Sequence, residues 1–352
     1  MAVTRADVAR RAGTSPALVS YVLNDGPRRV APETRERILA AIEELGYRPN
    51  TVARSLRMAR GHALGLVIPD SANPYFALLA RAVEETAHRF GYPLLVGNAA
   101  DDETRELGYL RAFLDRQVEG MLAIPSTTSP LLRAEYAKIP TPVVFVDRSF
   151  GDGDLPTVVA DAVDGAREAV AHLIGHGHTR IACLSGPDVS TSRDRVAGYE
   201  RALSEAGLTA LPVLRRPFGG RAGYEALEAL LAGPHAPTAL FVTSDLAALG
   251  LLRAATDRGL RVPDDLAVAS FDGIEYAAYT SPGLTTAEQP IFEMGRLAAE
   301  LLVAALGDEP RPTGLRTLPT RLTIRGSCGC ADSFVRSSNT QLEQPLRPPC
   351  LE

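Results

Sequence analysis

The sequence predicts an α/β protein: a three-helix, helix-turn-helix head, a short helical linker, and a large body of parallel sheets covered by helices. Three observations carry that reading. Residues 1–47 hold short apolar-periodic segments with helix start and stop signals. From residue 62, strand-length apolar runs alternate with amphipathic segments ("ALGLVIP", "NPYFALLARAVEETAHRF", "YPLLVGN"), and the alternation repeats from "RIACLSG" to "AVASFD". Charge is divided: residues 1–61 hold eleven arginines and six acids, net +5, in a chain of 352 residues whose net charge is −5. The remainder therefore carries −10. A basic head on an acidic body is expected where one domain meets a polyanion and the other meets something else.

In the head, Thr4 and Asp7 have the spacing of a capping-box-like start to a helix running to Ala12. Gly13-Thr14 turns the chain, Ser15 is a good N-cap, and Pro16 suits the first position of a second helix. At helical pitch Val19, Val22 and Leu23 share one side of "SPALVSYVLN"; Ala17, Tyr21 and Asn24 point away, with Leu18 and Ser20 on the flanks. Pro32 opens a third helix, in which Ile38, Leu39, Ile42 and Leu45 recur until Gly46 stops it. Val8, Val19, Val22, Leu23, Ile38 and Ile42 make a small shared core. Residues 48–61, "RPNTVARSLRMARG", form a linker of helical character at a length where an isolated helix is marginal in water.

The body reads as two successive doubly covered sheets. Ligands of such sheets lie beyond the carboxyl ends of the strands, which gives weight to Asp70, Asn98, Asp147, Ser244, Asp245 and Asp272. From 330 to 352 the chain is polar, Pro-containing and without periodicity, the pattern of a disordered tail.

Composition, with 45% hydrophobic and 22% charged residues, is that of an ordinary globular protein. Apolar runs fall far short of the roughly 20 residues that span a bilayer, and no apolar stretch follows a basic start. A cytoplasmic protein with no membrane partner is expected. Cys183, Cys328, Cys330 and Cys350 show neither metal-ligand spacing nor a disulfide framework, and a redox or metal role for Cys328-Gly-Cys330 is the lesser reading. His172, His176 and His178 in "HLIGHGH" straddle glycines that stop a helix, so capping is favoured over zinc. No metal and no cofactor is expected. The phosphate-loop, dinucleotide, nucleophile-elbow and H-E-x-x-H patterns are all missing, which disfavours an enzyme.

The motifs "TRADVARRAGTSPALVSYVLN", "ELGYRPNTVARSLR", "NPYF", "GHTRIACLSGP", "RDRVAGY", "SDLAALG", "FDGIEYAAYTSPGLTTAEQP" and "RLTIRGSCG" occur in this order. Together, over about residues 3–329, they resemble the LacI/GalR family of bacterial transcription regulators. The resemblance implies a helix-turn-helix domain at 1–47, a hinge helix and linker at 48–61, and a two-lobed, periplasmic-binding-protein-like (type I) body at 62–329 that binds an effector and dimerises. Crossings near 161, 288 and 320 would assign 62–161 and 289–320 to lobe 1, and 162–288 and 321–329 to lobe 2. The implied partners are double-stranded DNA with a pseudo-palindromic operator, a small-molecule effector, and a second copy of the chain. A tetramer is the alternative to a dimer, although the tail has no heptad pattern.

The second helix departs from the family, which often carries arginine where this chain has Tyr21. Ala17 and Leu18 suit thymine methyl groups, and Ser20 and Tyr21 can hydrogen-bond a phosphate or base. The expected DNA-binding set is Ser15, Ala17, Leu18, Ser20, Tyr21, Asn24, Arg28, Arg29, Asn50, Ala53, Arg54 and Leu56. Arginines would supply phosphate affinity, and paired Leu56 side chains would wedge into the minor groove at the operator centre. For the effector pocket the resemblance implies Tyr75, Phe76, Asp147 and Arg148 from lobe 1. It adds Arg195, Phe218, Ser244 or Asp245, and Asp272 from lobe 2, with Gln289 at a crossing. Ser244, Ala162 and Gly273 stand where the family commonly has Asn, Asn and a second Asp. Carboxylates, arginine and flat rings suit a sugar or sugar derivative, with a nucleobase or nucleoside as the alternative. Repression is the expected mode.

Overall fold

The structure, a computed structural model, describes residues 3–24, 29–47, 62–151, 155–232, 236–307 and 313–331. The chain divides into two compact units, Met1–Arg60 and Gly61–Glu352.

The first unit holds helices α1 (Arg5–Arg11), α2 (Pro16–Asn24) and α3 (Pro32–Leu45). Thr4 accepts from the Asp7 amide while the Asp7 carboxylate accepts from the Thr4 amide, a complete capping box. Gly46, in the left-handed region at φ 59°, ends α3. Val8, Val19, Val22, Ile38, Ala41 and Tyr47 are buried together, with Leu18, Leu23 and Ile42 packed against them. The apolar stripe of α2 thus faces the other two helices.

The second unit contains two six-stranded sheets. The first is built from β1 (Leu64–Ile68), β2 (Leu94–Asn98), β3 (Gly120–Ala123), β4 (Val143–Val146), β5 (Thr157–Ala160) and β11 (Leu315–Leu318), in the order β11-β5-β4-β3-β1-β2. All its pairings are parallel. Helices α4 (Pro74–Arg89) and α11 (Ile291–Ala304) cover one face; α5 (Glu103–Asp115) and α6 (Pro130–Ala137) cover the other. Parallel strands buried on both faces need continuous apolar runs, and "LGLVI" in β1 is buried at every residue.

The second sheet repeats the plan. Its strands are β6 (Ile181–Ser185), β7 (Leu214–Arg215), β8 (Ala239–Val242), β9 (Ala267–Asp272), β10 (Thr285–Glu288) and β12 (Arg321–Thr323), in the order β12-β10-β9-β8-β6-β7. Only β12 runs antiparallel. Helices α7 (Ala162–Gly175) and α8 (Ser190–Glu205) cover one face, and α9 (Gly220–Leu231) and α10 (Asp245–Asp257) the other. The chain passes between the sheets after β5, again at Gln289 between β10 and α11, and a third time between β11 and β12. In each sheet the strand order reverses beside its first strand, which opens a crevice beyond the carboxyl ends.

Among the described residues no helix is long and apolar enough to cross a membrane. Of the stretch expected to be a disordered tail, Cys330 and Ala331 are described, and 332–352 lie outside the described residues.

Candidate functional site

A cleft of about 240 Å³, mouth included, is lined by Asn73, Tyr75, Phe76, Asp147, Arg148, Thr191, Arg195, Phe218, Ser244 and Asp272. Strand and helix ends deliver each of them. Asn73 caps α4, accepting from the Tyr75 amide at 3.1 Å, and so fixes the turn that aims Tyr75 and Phe76 inward. Asp147 follows β4, Asp272 ends β9, and Ser244 stands at the start of α10. Both aspartates hold positive φ, 66° and 126°, a conformation that side chains other than glycine adopt at a cost of roughly 1–3 kcal/mol. Their surroundings must hold them there.

Those surroundings are visible. Arg195 Nη1 lies 3.0 Å from Asp272 Oδ1 and donates to the Thr243 carbonyl at 2.6 Å, while its guanidinium stands 4.1 Å from the centre of the Phe271 ring. Gln289 Nε2 donates to Asp272 Oδ1 at 3.0 Å. The Tyr75 hydroxyl donates to Asp147 Oδ1 at 2.6 Å and lies 3.2 Å from Gln289 Oε1. On the other side, Arg148 Nη1 donates to the Pro125 carbonyl at 3.1 Å, and the guanidinium sits over Phe76 and Phe218, 5.5 and 5.7 Å from their centres.

Asp147, Arg148, Arg195 and Asp272 are all buried. Burial pushes the Asp272 carboxyl above the usual carboxylate range; Arg195 opposes the rise and Asp147 adds to it. Burial also raises the Tyr75 phenol, with Asp147 adding to the effect. The Nε–H groups of Arg148 and Arg195, two residues that line the cleft, are buried without a hydrogen-bond partner among the described residues. Leaving such groups unmet costs on the order of 1–3 kcal/mol each, so the cleft holds donor capacity for a polar guest.

Of the ten pocket residues expected from the sequence, eight line this cleft. Gln289 lies behind it as the link between Tyr75 and Asp272. Asp245 is placed differently, and its expected pocket position needs correcting. It is fully buried, accepts from the amides of Gly273 and Ile274 and from the hydroxyls of Ser270 and Thr286, and so braces the turn after β9. Burial, with Asp272 adding, pushes its carboxyl up to about 7. Asn73 and Thr191 were missed. Asn73 stands within the quoted "NPYF", and its place before Pro74 after a strand was the available signal; Thr191 gave none beyond a helix start.

In the head, Ala17 is exposed, Ser20 and Tyr21 are half-buried, and Arg29 is exposed. Ser15 is exposed, and its hydroxyl accepts from the Leu18 amide at 3.3 Å. Leu18 is half-buried against the head's core, so part of its surface serves packing rather than an outer face. Arg10 and Arg11 are paired with Asp7 and Glu44 at 3.0 and 2.6 Å. Arg28, Asn50, Ala53, Arg54 and Leu56, and the side chain of Asn24, lie outside the described residues.

Residues 4–50 match the family described as "Bacterial regulatory proteins, lacI family", and residues 170–328 match the "Periplasmic binding protein-like domain". Over 331 residues the chain is 37% identical to catabolite control protein A of Priestia megaterium, covering 93% of this chain and 99% of that protein. It is 37% identical to the ribose operon repressor of Escherichia coli K12 over 305 residues, 85% of this chain and 92% of that one. Among solved structures, the Lac repressor dimer bound to operator and the anti-inducer ONPF is similar with a TM-score of 0.84 at 29% identity, covering 93% and 99% of the two chains.

Proposed function

The chain belongs to the LacI family of bacterial regulatory proteins, and from that premise we propose that a sugar or sugar derivative, bound in the cleft of the body, sets the affinity of the head for operator DNA. The protein is a DNA-binding transcription regulator with a ligand-binding body, not an enzyme. Repression is the mode of the ribose operon and Lac repressors that it resembles. As in the Lac repressor structure, the working unit is read as a dimer on a two-fold symmetric operator.

One observation carries the ligand class: the cleft's charges cancel. Two carboxylates, Asp147 and Asp272, face two guanidinium groups, Arg148 and Arg195, inside a buried lining with Phe76 and Phe218. A neutral, hydroxyl-rich ring can donate hydrogen bonds to the carboxylates and accept them from the arginines without bringing net charge into low dielectric. The cleft as it stands leaves little enclosed room for a sugar, so entry requires the lobes to part. Movement of the lobes would act on residues 48–61, whose short helix is expected to order only against its twin and the minor groove.

A thermal-shift screen of neutral sugars, sugar phosphates and nucleosides, followed by gel shifts on operator DNA with each hit, tests this reading. A neutral sugar is expected to raise the melting temperature and to change operator affinity. Stabilisation by nucleosides alone would overturn the ligand class, and a hit that leaves operator affinity unchanged would overturn the coupling.

A further inference from the structure

We propose that His172, His176, Cys328 and Cys330 form a tetrahedral Cys2His2 site for a zinc ion, which clasps the C-terminal turn of the body onto helix α7. The two halves lie more than 150 residues apart in the chain, 156 between His172 and Cys328, and only the fold brings them together. Cys328-Gly-Cys330 alone lacks a usual metal-ligand spacing, whereas His172 and His176, at i and i+4, have one.

His172 and His176 are four residues apart at the end of α7, so their rings leave the same face one turn apart, with centroids 4.8 Å from each other. Cys328 ends a 3-10 turn, Gly326–Cys328, that follows β12. Gly329 comes next at φ 102°, a conformation that other residues rarely adopt, and this reversal swings Cys330 back beside Cys328. His172 Nε2 lies 3.2 Å from Cys328 Sγ and 3.6 Å from Cys330 Sγ, and His176 Nε2 lies 3.2 Å from Cys330 Sγ. All four donor atoms fall within 4.8 Å of one another. With Zn–S near 2.3 Å and Zn–N near 2.0–2.1 Å, a tetrahedral site separates its donors by about 3.3–3.8 Å, so the cluster needs only small rotamer adjustments to close on an ion.

The turn is held in advance. Ser327 donates its amide to the Gly283 carbonyl at 2.9 Å and its hydroxyl to the Val268 carbonyl at 2.6 Å, and its oxygen accepts from the Thr285 amide at 2.9 Å. The cysteines therefore sit on a braced backbone. Two thiolates and two imidazoles suit a borderline-soft ion, and four protein donors close the coordination sphere in the manner of a structural site. Cys328 is buried in the core beneath α7 and α8, whereas His176 is exposed, which gives an ion a way in. The site lies by the end of α7, just before β6 begins, at the amino edge of the second sheet; the sugar cleft lies at the carboxyl edge. The clasp is thus separate from effector recognition.

Untagged full-length protein, reduced and stripped with a chelator, is to be titrated with Co²⁺ and then Zn²⁺. One equivalent of Co²⁺ should produce the thiolate charge-transfer band and the intense ligand-field bands of a tetrahedral site, and Zn²⁺ should bleach both. Zn²⁺ should also raise the melting temperature of the stripped protein. His176→Ala, at an exposed position, and Cys330→Ser should each weaken binding by more than the 10–100-fold that losing an outer partner of a metal ligand costs. Absence of the thiolate–cobalt band would overturn the proposal, as would binding by both variants equal to that of the parent. So would a Cys328–Cys330 disulfide that persists under reductant with no metal taken up.

Discussion

Tyr75 and Gln289, 214 positions apart in the chain, meet with 3.2 Å between the phenol oxygen and the amide oxygen. Tyr75 belongs to the helix that opens the first lobe, and Gln289 stands where the chain leaves the second sheet. The phenol has one proton, and Asp147 at 2.6 Å is the nearer acceptor. Gln289 in turn donates to Asp272, which pairs with Arg195, so Tyr75 and Gln289 stand between the two carboxylates that line the cleft.

Asp272→Asn should weaken sugar binding by about 1.5–3 kcal/mol, roughly 10–100-fold, because it removes the charge of an acceptor and half of the Arg195 pair. Asparagine is chosen because it tolerates positive φ better than alanine, so the turn after β9 survives. Calorimetry with the sugar found by thermal shift measures the loss, and operator binding without ligand should stay unchanged. Unaltered affinity would remove Asp272 from the site.

Sugar affinity should fall on acidification in a range above the ordinary carboxylate value of about 4. The sign follows from the direction of the shift: burial raises the Asp272 carboxyl, so protonation begins at a higher pH than in the unfolded chain. The protonated form loses both its Arg195 pair and half of its acceptor capacity. A pH series of ligand titrations in the parent and in Asp272→Asn checks this; the variant should show a flatter profile.

Gly186→Ala should cost the cleft one of its walls. A Cβ at Gly186 would stand 2.1 Å from the Phe218 ring, well inside contact distance, so the ring must swing out of the site. The expected loss in ligand affinity is about tenfold, with thermal unfolding of the ligand-free protein changed far less than binding. Equal effects on both would mean that Phe218 serves packing alone.

At the DNA end, Arg29→Ala and Leu56→Ala should differ in kind. Arg29 is exposed and read as a phosphate contact, so its loss should weaken operator and random duplex alike and lower the salt slope by about 1. Leu56 is read as a minor-groove wedge, so its loss should weaken the operator far more than random duplex. Competition gel shifts at several salt concentrations separate the two. Identical behaviour of the variants would count against the wedge.

The architecture was legible because it rests on local rules. The capping box of Thr4 and Asp7, the glycine stop at Gly46 and the fully apolar β1 each follow from neighbours a few residues apart. Charge partition between residues 1–61 and the remainder was equally plain in the composition. Of the six residues that the strand-end rule weighted, Asp147, Ser244 and Asp272 line the cleft, whereas Asp245 braces a turn and Asp70 and Asn98 accept from the amides of Ala72, Ser71 and Ala100 in the loops after β1 and β2.

What the sequence determined by itself, then, was the set of elements, their alternation, and the family to which such an ordered set of motifs belongs. Tertiary structure alone decided the uses of individual polar side chains. It turned Asp245 inward to brace a turn while its neighbour Ser244 faces the cleft, and it brought two histidines and two cysteines from distant segments within 4.8 Å. The physical reason is range: helix and strand preferences are set within a turn or two of chain, whereas burial, pairing and coordination depend on which side chains the closed sheets bring face to face.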